Sequence, residues 1–143
     1  MKFDIVLDCN SENFIKILTD YENLPNFLPR QLNSIKIIEE SDNQKIIEAI
    51  IQFKTLIKKP ITQTIQINKN NYELIFKILD GHAKNTKASI ITKPQNDSLF
   101  VEIDIDLKLS LAAKILTPII KREYKLMLQG VLMKMAVEAK SIE

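Results

Sequence analysis

Glu123 stands in the most demanding surroundings of any reactive side chain in this sequence. On a helical wheel of about 100° per residue, Leu116, Ile119, Leu126, Met127, Gly130 and Val131 share one side, and Glu123 falls in the middle of that apolar arc. Lys114, Lys121, Arg122, Lys125 and Gln129 gather on the other side. A carboxylate among apolar groups is costly unless it is paired or wet. Glu123 therefore anchors the polar end of a ligand in a cavity, or the helix is turned slightly from this wheel, or Glu123 sits at an open end where it reaches water. Gly130 interrupts a run of good helix formers at a cost of about 1 kcal/mol against Ala. Its missing side chain provides either cavity volume or room for close packing.

Other reactive groups are sparse. His82 is the only histidine. It follows Asp80-Gly81 and is expected to be exposed or at a cavity mouth. A lone histidine with no acid or nucleophile pattern beside it is a weak basis for general base catalysis. Cys9 is the only cysteine, so no intramolecular disulfide forms, which fits a reducing compartment. One His and one Cys do not make a usual zinc site, and neither metal nor cofactor is implied. Glu102, Asp104 and Asp106 alternate with apolar residues, as on a solvated sheet face. Met127, Met133 and Met135 are flexible, polarizable side chains suited to a core or to an adaptable binding surface.

The elements that must position these groups read clearly. Period-two alternation marks strands. In "LFVEIDIDLKL", Leu99, Val101, Ile103, Ile105, Leu107 and Leu109 share one face, and the charges share the other. "IIEAIIQFK" aligns Ile47, Ala49, Ile51 and Phe53, and "YELIFKIL" aligns Tyr72, Leu74, Phe76 and Ile78. "FDIVL", "NSIKIIE", "ITQTIQI" and "TKASIITK" complete a set of about seven. Turn-forming stretches such as "ESDNQ", "NKNNY", "LDGH" and "KPQNDS" separate them, so residues 33 to 109 are expected to form an antiparallel meander. A helix is predicted over "NSENFIKILTDY", capped by Asn10 or Ser11. A long one is predicted over "TPIIKREYKLMLQGVLMKMAVEAK". It starts at Thr117-Pro118 or nearer Ser110 with a bend at Pro118. The apolar sheet face needs a cover, and the last helix is the only element long enough to provide it.

Bulk properties narrow the classes. The 143 residues fit one domain, 1–143, with a sizeable core. The net charge of only +2 does not call for nucleic acid or an acidic membrane surface. Asp4 comes too early for a signal-peptide apolar region. No apolar run approaches the ~20 residues of a membrane span. The expectation is a cytoplasmic protein without DNA binding or stable membrane insertion. A homodimer through strand edges, or through Leu128 and Leu132 of the last helix, is left open.

Two segments carry a family likeness. "ILTDYENLPNFLP" resembles the segment after the first strand of the START-like, helix-grip (SRPBCC) superfamily, and "FKILDGHAK" resembles the Asp-Gly hairpin of its coenzyme Q-binding branch. That branch has Pro and an aromatic where His82 and Ala83 stand here, and this chain has no tryptophan. The chain is nearest the coenzyme Q-binding and polyketide cyclase/dehydratase families.

The resemblance implies an α+β fold of order β-αα-β6-α, with a curved antiparallel sheet of six to seven strands wrapped around the long C-terminal helix. It also implies a cavity between sheet and helix for an apolar or amphipathic small molecule. Tyr21, Leu24, Phe27 and Leu28 would close one end, with Pro25 and Pro29 keeping that segment short. Phe53, Tyr72, Phe76, Ile103 and Ile105 would line the cavity from the sheet. Ile119, Glu123, Met127, Gly130 and Val131 would line it from the helix. The implied function is carriage of a lipid, an isoprenoid or quinone, or a polyketide-like compound. One alternative is a cyclase/dehydratase-type enzyme using Glu123, Tyr72, Tyr21 or His82. Another is a protein- or ribosome-interaction module.

Overall fold

The inner face of the sheet explains the architecture. The computed structural model describes residues 1–52 and 59–143. The elements are β1 (Lys2–Leu7), α1 (Ser11–Leu18), a 3-10 helix over Tyr21–Asn26, and strands β2 (Leu32–Glu40), β3 (Gln44–Ile51), β4 (Ile61–Asn70), β5 (Glu73–Ile78), β6 (Lys87–Gln95) and β7 (Ser98–Asp106). A 3-10 turn at Lys114–Leu116 leads into α2 (Thr117–Ser141). Strands β2 to β7 run as an antiparallel meander, and β1 pairs with β7 at the far edge. The alternation in β7 is realised: Leu99, Val101, Ile103 and Ile105 are buried, whereas Asp104 and Asp106 are exposed. The outward acids pair with surface lysines, Lys93–Glu102 at 3.1 Å and Lys108–Asp106 at 3.6 Å. Two irregularities in the edge strand β2, at Leu32/Ser34 and Ile37/Glu39, help it curve and blunt an open edge.

Turn chemistry falls where expected. Asn71, Asn85, Asn96 and Gly81 all have positive φ, a conformation that Asn and Gly adopt most cheaply. The Asn71-Tyr72 turn corrects one expectation. Tyr72 precedes β5 rather than opening its inner face and is 59% exposed, so Leu74 is the first inward residue. The segment around Pro25 is confined to one short 3-10 helix packed on β2. Its Tyr21 is 4% exposed, and Leu24, Phe27 and Leu28 are partly buried against the core.

Helix α2 begins at Thr117, the first of the two expected starts. Thr117 does not cap it; the Thr117 hydroxyl donates to the Lys114 carbonyl at 2.6 Å and continues the preceding 3-10 turn. The helix is also rotated from the wheel reading. Val131, Leu132, Met135, Ala136 and Ala139 are its buried residues, while Ile119, Leu126, Met133 and Val137 are exposed. Leu132, expected as surplus apolar surface for a dimer, is 1% exposed and in the core, and Leu128 packs against that core. The packed side is marked by Ala136 and Ala139, whose small size lets α1 come close. Asn13 of α1 donates to the Ala139 carbonyl at 3.5 Å. The C-terminal end is pinned as well: the Asn10 backbone N–H donates to Glu143 Oε1 at 2.6 Å, and Lys140 reaches Asp8 at 3.2 Å.

This rotation gives a paired expectation. Leu132→Ala should lower unfolding stability by about 2–5 kcal/mol in urea titration, and Leu126→Ala should stay within about 0.5 kcal/mol of wild type. Equal losses would contradict the packing. Burial pushes the Tyr21 phenol up to about 12, while an unfolded phenol ionises near 10. The unfolded state thus loses its proton first, and Tyr21 burial contributes stability below pH ~10 that is lost as pH rises toward 12. Ultraviolet titration of Tyr21→Phe should lack a phenolate step near pH 12 that wild type shows.

Candidate functional site

A cavity of about 410 Å³ lies between β4, the β5–β6 turn and the first turns of α2. Its walls are mainly apolar: Ile61 from the sheet, Ala83 from the turn, Leu109, Ala112, Ala113 and Leu116 from the β7–α2 connection, and Ile120 from the helix. Four polar residues join them, Gln63, His82, Glu123 and Tyr124.

Local structure explains how this space is held open. Asp80 ties the β5–β6 turn to β4, its two carboxylate oxygens accepting from the Thr64 backbone N–H at 2.9 Å and the Thr64 hydroxyl at 2.8 Å. Gly81, at φ +79, then reverses the chain and presents His82 and Ala83. The β7–α2 connection is stitched to this turn. Thr86 Oγ1 donates to the Lys108 carbonyl at 3.0 Å and accepts from the Lys108 N–H at 2.9 Å. The Ser110 N–H donates to the His82 carbonyl at 2.7 Å, and Ser110 Oγ lies 2.8 Å from His82 Nδ1. The connection thereby roofs the cavity, and α2 starts away from the sheet instead of collapsing onto it.

The polar groups differ in burial and in partners. Glu123 is half-buried and makes no hydrogen bond or ion pair among the described residues. Its carboxylate can therefore accept from a ligand without first breaking a protein contact. Burial pushes the Tyr124 phenol up, which keeps it a neutral O–H at ordinary pH. Gln63 is 5% exposed, a buried amide on the cavity wall with both donor and acceptor capacity. His82 is exposed and held by Ser110. Cys9 has no part here: it sits at the end of β1, and its thiol is pushed up by burial first and then by the Glu143 and Asp8 carboxylates. That direction suppresses the nucleophilic thiolate. No cluster of three or more metal-ligating side chains occurs among the described residues.

Of the fourteen residues expected to line a cavity, Glu123 lines this one. Ile103, Ile105 and Val131 are packed in the core, and Phe76 lies partly buried against it. Ile119 is 42% exposed on the outer side of α2. Met127 is half-buried, and Gly130 faces solvent, with nothing within 4 Å of where a Cβ would sit. Phe53 lies outside the described residues. Tyr21, Leu24, Phe27 and Leu28 cover the other end of the core. Lys134, whose Nζ reaches the Phe27 carbonyl at 3.4 Å, is 11 residues, or roughly 16 Å at 1.5 Å rise, further along α2 than Glu123.

Sequence reasoning missed the roof, Leu109 to Leu116, and the wall residues Ile61, Gln63 and Ala83. The roof has no helix or strand period to announce it. Gln63 did carry a signal, as an amide alternating in phase with Ile61, Ile65 and Ile67 on the inner face of β4.

No protein-family model and no curated protein sequence matches the chain. Solved structures do. A START superfamily protein from Mycobacterium smegmatis superposes with a TM-score of 0.73 at 13% identity, covering 94% of this chain and 97% of that one. The Zhui aromatase/cyclase from Streptomyces sp. R1128 gives 0.74 at 10% identity over 94% and 92%. Norcoclaurine synthase from Thalictrum flavum, in complex with dopamine and hydroxybenzaldehyde, gives 0.73 at 13% identity over 98% and 87%. This chain's strand order, the short helices after β1 and the long final helix agree with the expected architecture, and the chain has the helix-grip fold.

Proposed function

We propose that the protein binds an apolar small molecule with a polar end in the cavity between β4, the β5–β6 turn and α2. The observation that supports this best is an unpaired carboxylate, Glu123, on the wall of an otherwise largely apolar space of about 410 Å³. That volume lies within the range of small-molecule sites, and so does the mixture of many apolar groups with a few convergent polar ones. Leu109, Leu116 and Ile120 take the apolar body; Glu123, Gln63, Tyr124 and His82 orient the polar end. A lipid, an isoprenoid quinone or a polyketide-like compound has this chemistry. A neighbour of the same fold is called an aromatase/cyclase, and another was solved with dopamine and hydroxybenzaldehyde, so aromatic ligands belong in the same range.

Catalysis in this cavity is the second reading, favoured by one observation. His82, Glu123 and Tyr124 surround one apolar space, and His82 Nδ1 is oriented by Ser110 at 2.8 Å. A proton acceptor and a phenol donor facing a sequestered ligand are the parts that acid–base chemistry needs.

Native mass spectrometry of freshly purified protein should find a bound small molecule, or uptake of one from a panel of fatty acids, isoprenoid quinones and aromatic polyketides. Ala113→Trp, which fills the space, should weaken that uptake at least about tenfold, or ~1.4 kcal/mol, without unfolding the protein. Absence of uptake across the panel would overturn the binding reading. Glu123→Gln should leave apolar ligands bound while changing preference among polar ends. Conversion of the bound molecule by wild type, lost in Glu123→Gln or His82→Gln, would decide for the enzyme.

A further inference from the structure

We propose that the outer face of the cavity roof is a docking surface for an anionic lipid bilayer, from which the apolar ligand enters or leaves. The inference rests on the ligand-binding reading above for its purpose, and on independent observations for the surface itself.

The roof is apolar on both faces. Leu109, Ala113, Leu116 and Ile120 face the cavity. Leu111 and Ile115, between them in sequence, are 89% and 84% exposed, the two most exposed large apolar residues among those described. Ile119 and Leu126 continue the outer line along α2 at 42% and 60% exposure. Contiguous apolar side chains on a surface mark an interaction site more often than scattered ones do, and this line adjoins the wall that a ligand must pass.

Charge selects the occupant. From Leu107 to Arg122 the chain has four basic residues, Lys108, Lys114, Lys121 and Arg122, and no Asp or Glu. Lys108 pairs with Asp106 at 3.6 Å. Lys114, Lys121 and Arg122 have no ion pair among the described residues. Glu123 faces the cavity. Exposed Leu and Ile flanked by unpaired cations suit the interface of a membrane carrying anionic headgroups, where the apolar side chains enter the acyl boundary and the cations stay at phosphate level. A second copy of the chain fits less well. A two-fold contact sets a patch against itself and would bring these cations together. No described helix is long and apolar enough to cross a membrane, and the proposed contact is peripheral and reversible. It also spares an apolar ligand passage through water.

The test is co-sedimentation of ligand-free protein with vesicles of phosphatidylcholine alone and of phosphatidylcholine mixed with phosphatidylglycerol. Protein should pellet with the mixed vesicles, remain in solution with the neutral ones, and be released as salt is raised. Leu111→Asp/Ile115→Asp should lower partitioning at least about tenfold, an effect of ~1.4 kcal/mol, with an unchanged melting temperature. Lys114→Glu/Lys121→Glu should do the same while leaving the apolar pair intact. The proposal is overturned if wild type stays in the supernatant with mixed vesicles, or if Leu111→Asp/Ile115→Asp pellets as wild type does. It is also overturned if the ridge proves to be a contact between copies, seen as a dimer in ultracentrifugation that the same pair of substitutions abolishes. Because the protein is ligand-free, the outcome is separate from that of the cavity. Docking without uptake of any panel compound removes the binding reading and leaves the surface; uptake without docking does the reverse.

Discussion

The constraint on which this structure depends is that one helix must cover the apolar face of a seven-stranded sheet. A sheet face carrying Leu99, Val101, Ile103 and Ile105 cannot remain wet. Helix α2 satisfies that demand mainly with its second half. Val131, Leu132, Met135, Ala136 and Ala139 are buried there, α1 lies against the alanines, and Asp8 and Asn10 hold the last turn. The first half is kept away by the stitched connection from Lys108 to Leu116 and by the Asp80–Gly81 turn beneath it. The cavity is therefore a consequence of where the helix is fastened: solid packing at one end, enclosed space at the other.

Much of the fold was legible because period two is hard to imitate. The β7 alternation survives every competing influence, since both its faces obey it. The meander followed from short Asn-, Asp- and Gly-containing turns, whose Asn71, Asn96 and Gly81 do take positive φ. The helix face was harder to read, for a physical reason. Helix α2 carries large apolar side chains almost all round, so hydrophobicity alone does not say which stripe is buried. Steric fit decides it: the sheet and α1 accept Ala136 and Ala139 at close range, and that turns Leu126, Met133 and Val137 outward. Small residues marked the core better than large ones.

The site was legible at Glu123, where a charge in an apolar arc broke a local rule, and at His82, expected at a cavity mouth and found in its lining. His82 was placed correctly at a turn, but its hydrogen bond with Ser110 joins residues 28 apart, and no local pattern encodes that. Tyr72 was misplaced because it continues the strand alternation by one step into a turn. The roof was invisible to pattern reading because its residues serve two environments at once. Leu111 and Ile115 are exposed while Ala113 and Leu116 line the cavity, so the segment shows a run of apolar letters with no face.

The attachment of α2 mainly by its C-terminal half has an evolutionary corollary. Residues that hold the molecule together, from Val131 to Ala139, are not those that line the cavity, from Ile61 to Tyr124. Substitutions in the roof or in the first turns of the helix leave the stabilising half untouched, so the cavity can be enlarged, narrowed or re-charged at little cost to folding. Such a division of labour within a single helix makes the scaffold readily adaptable, letting descendants of one fold diverge in what they hold while remaining the same object to fold.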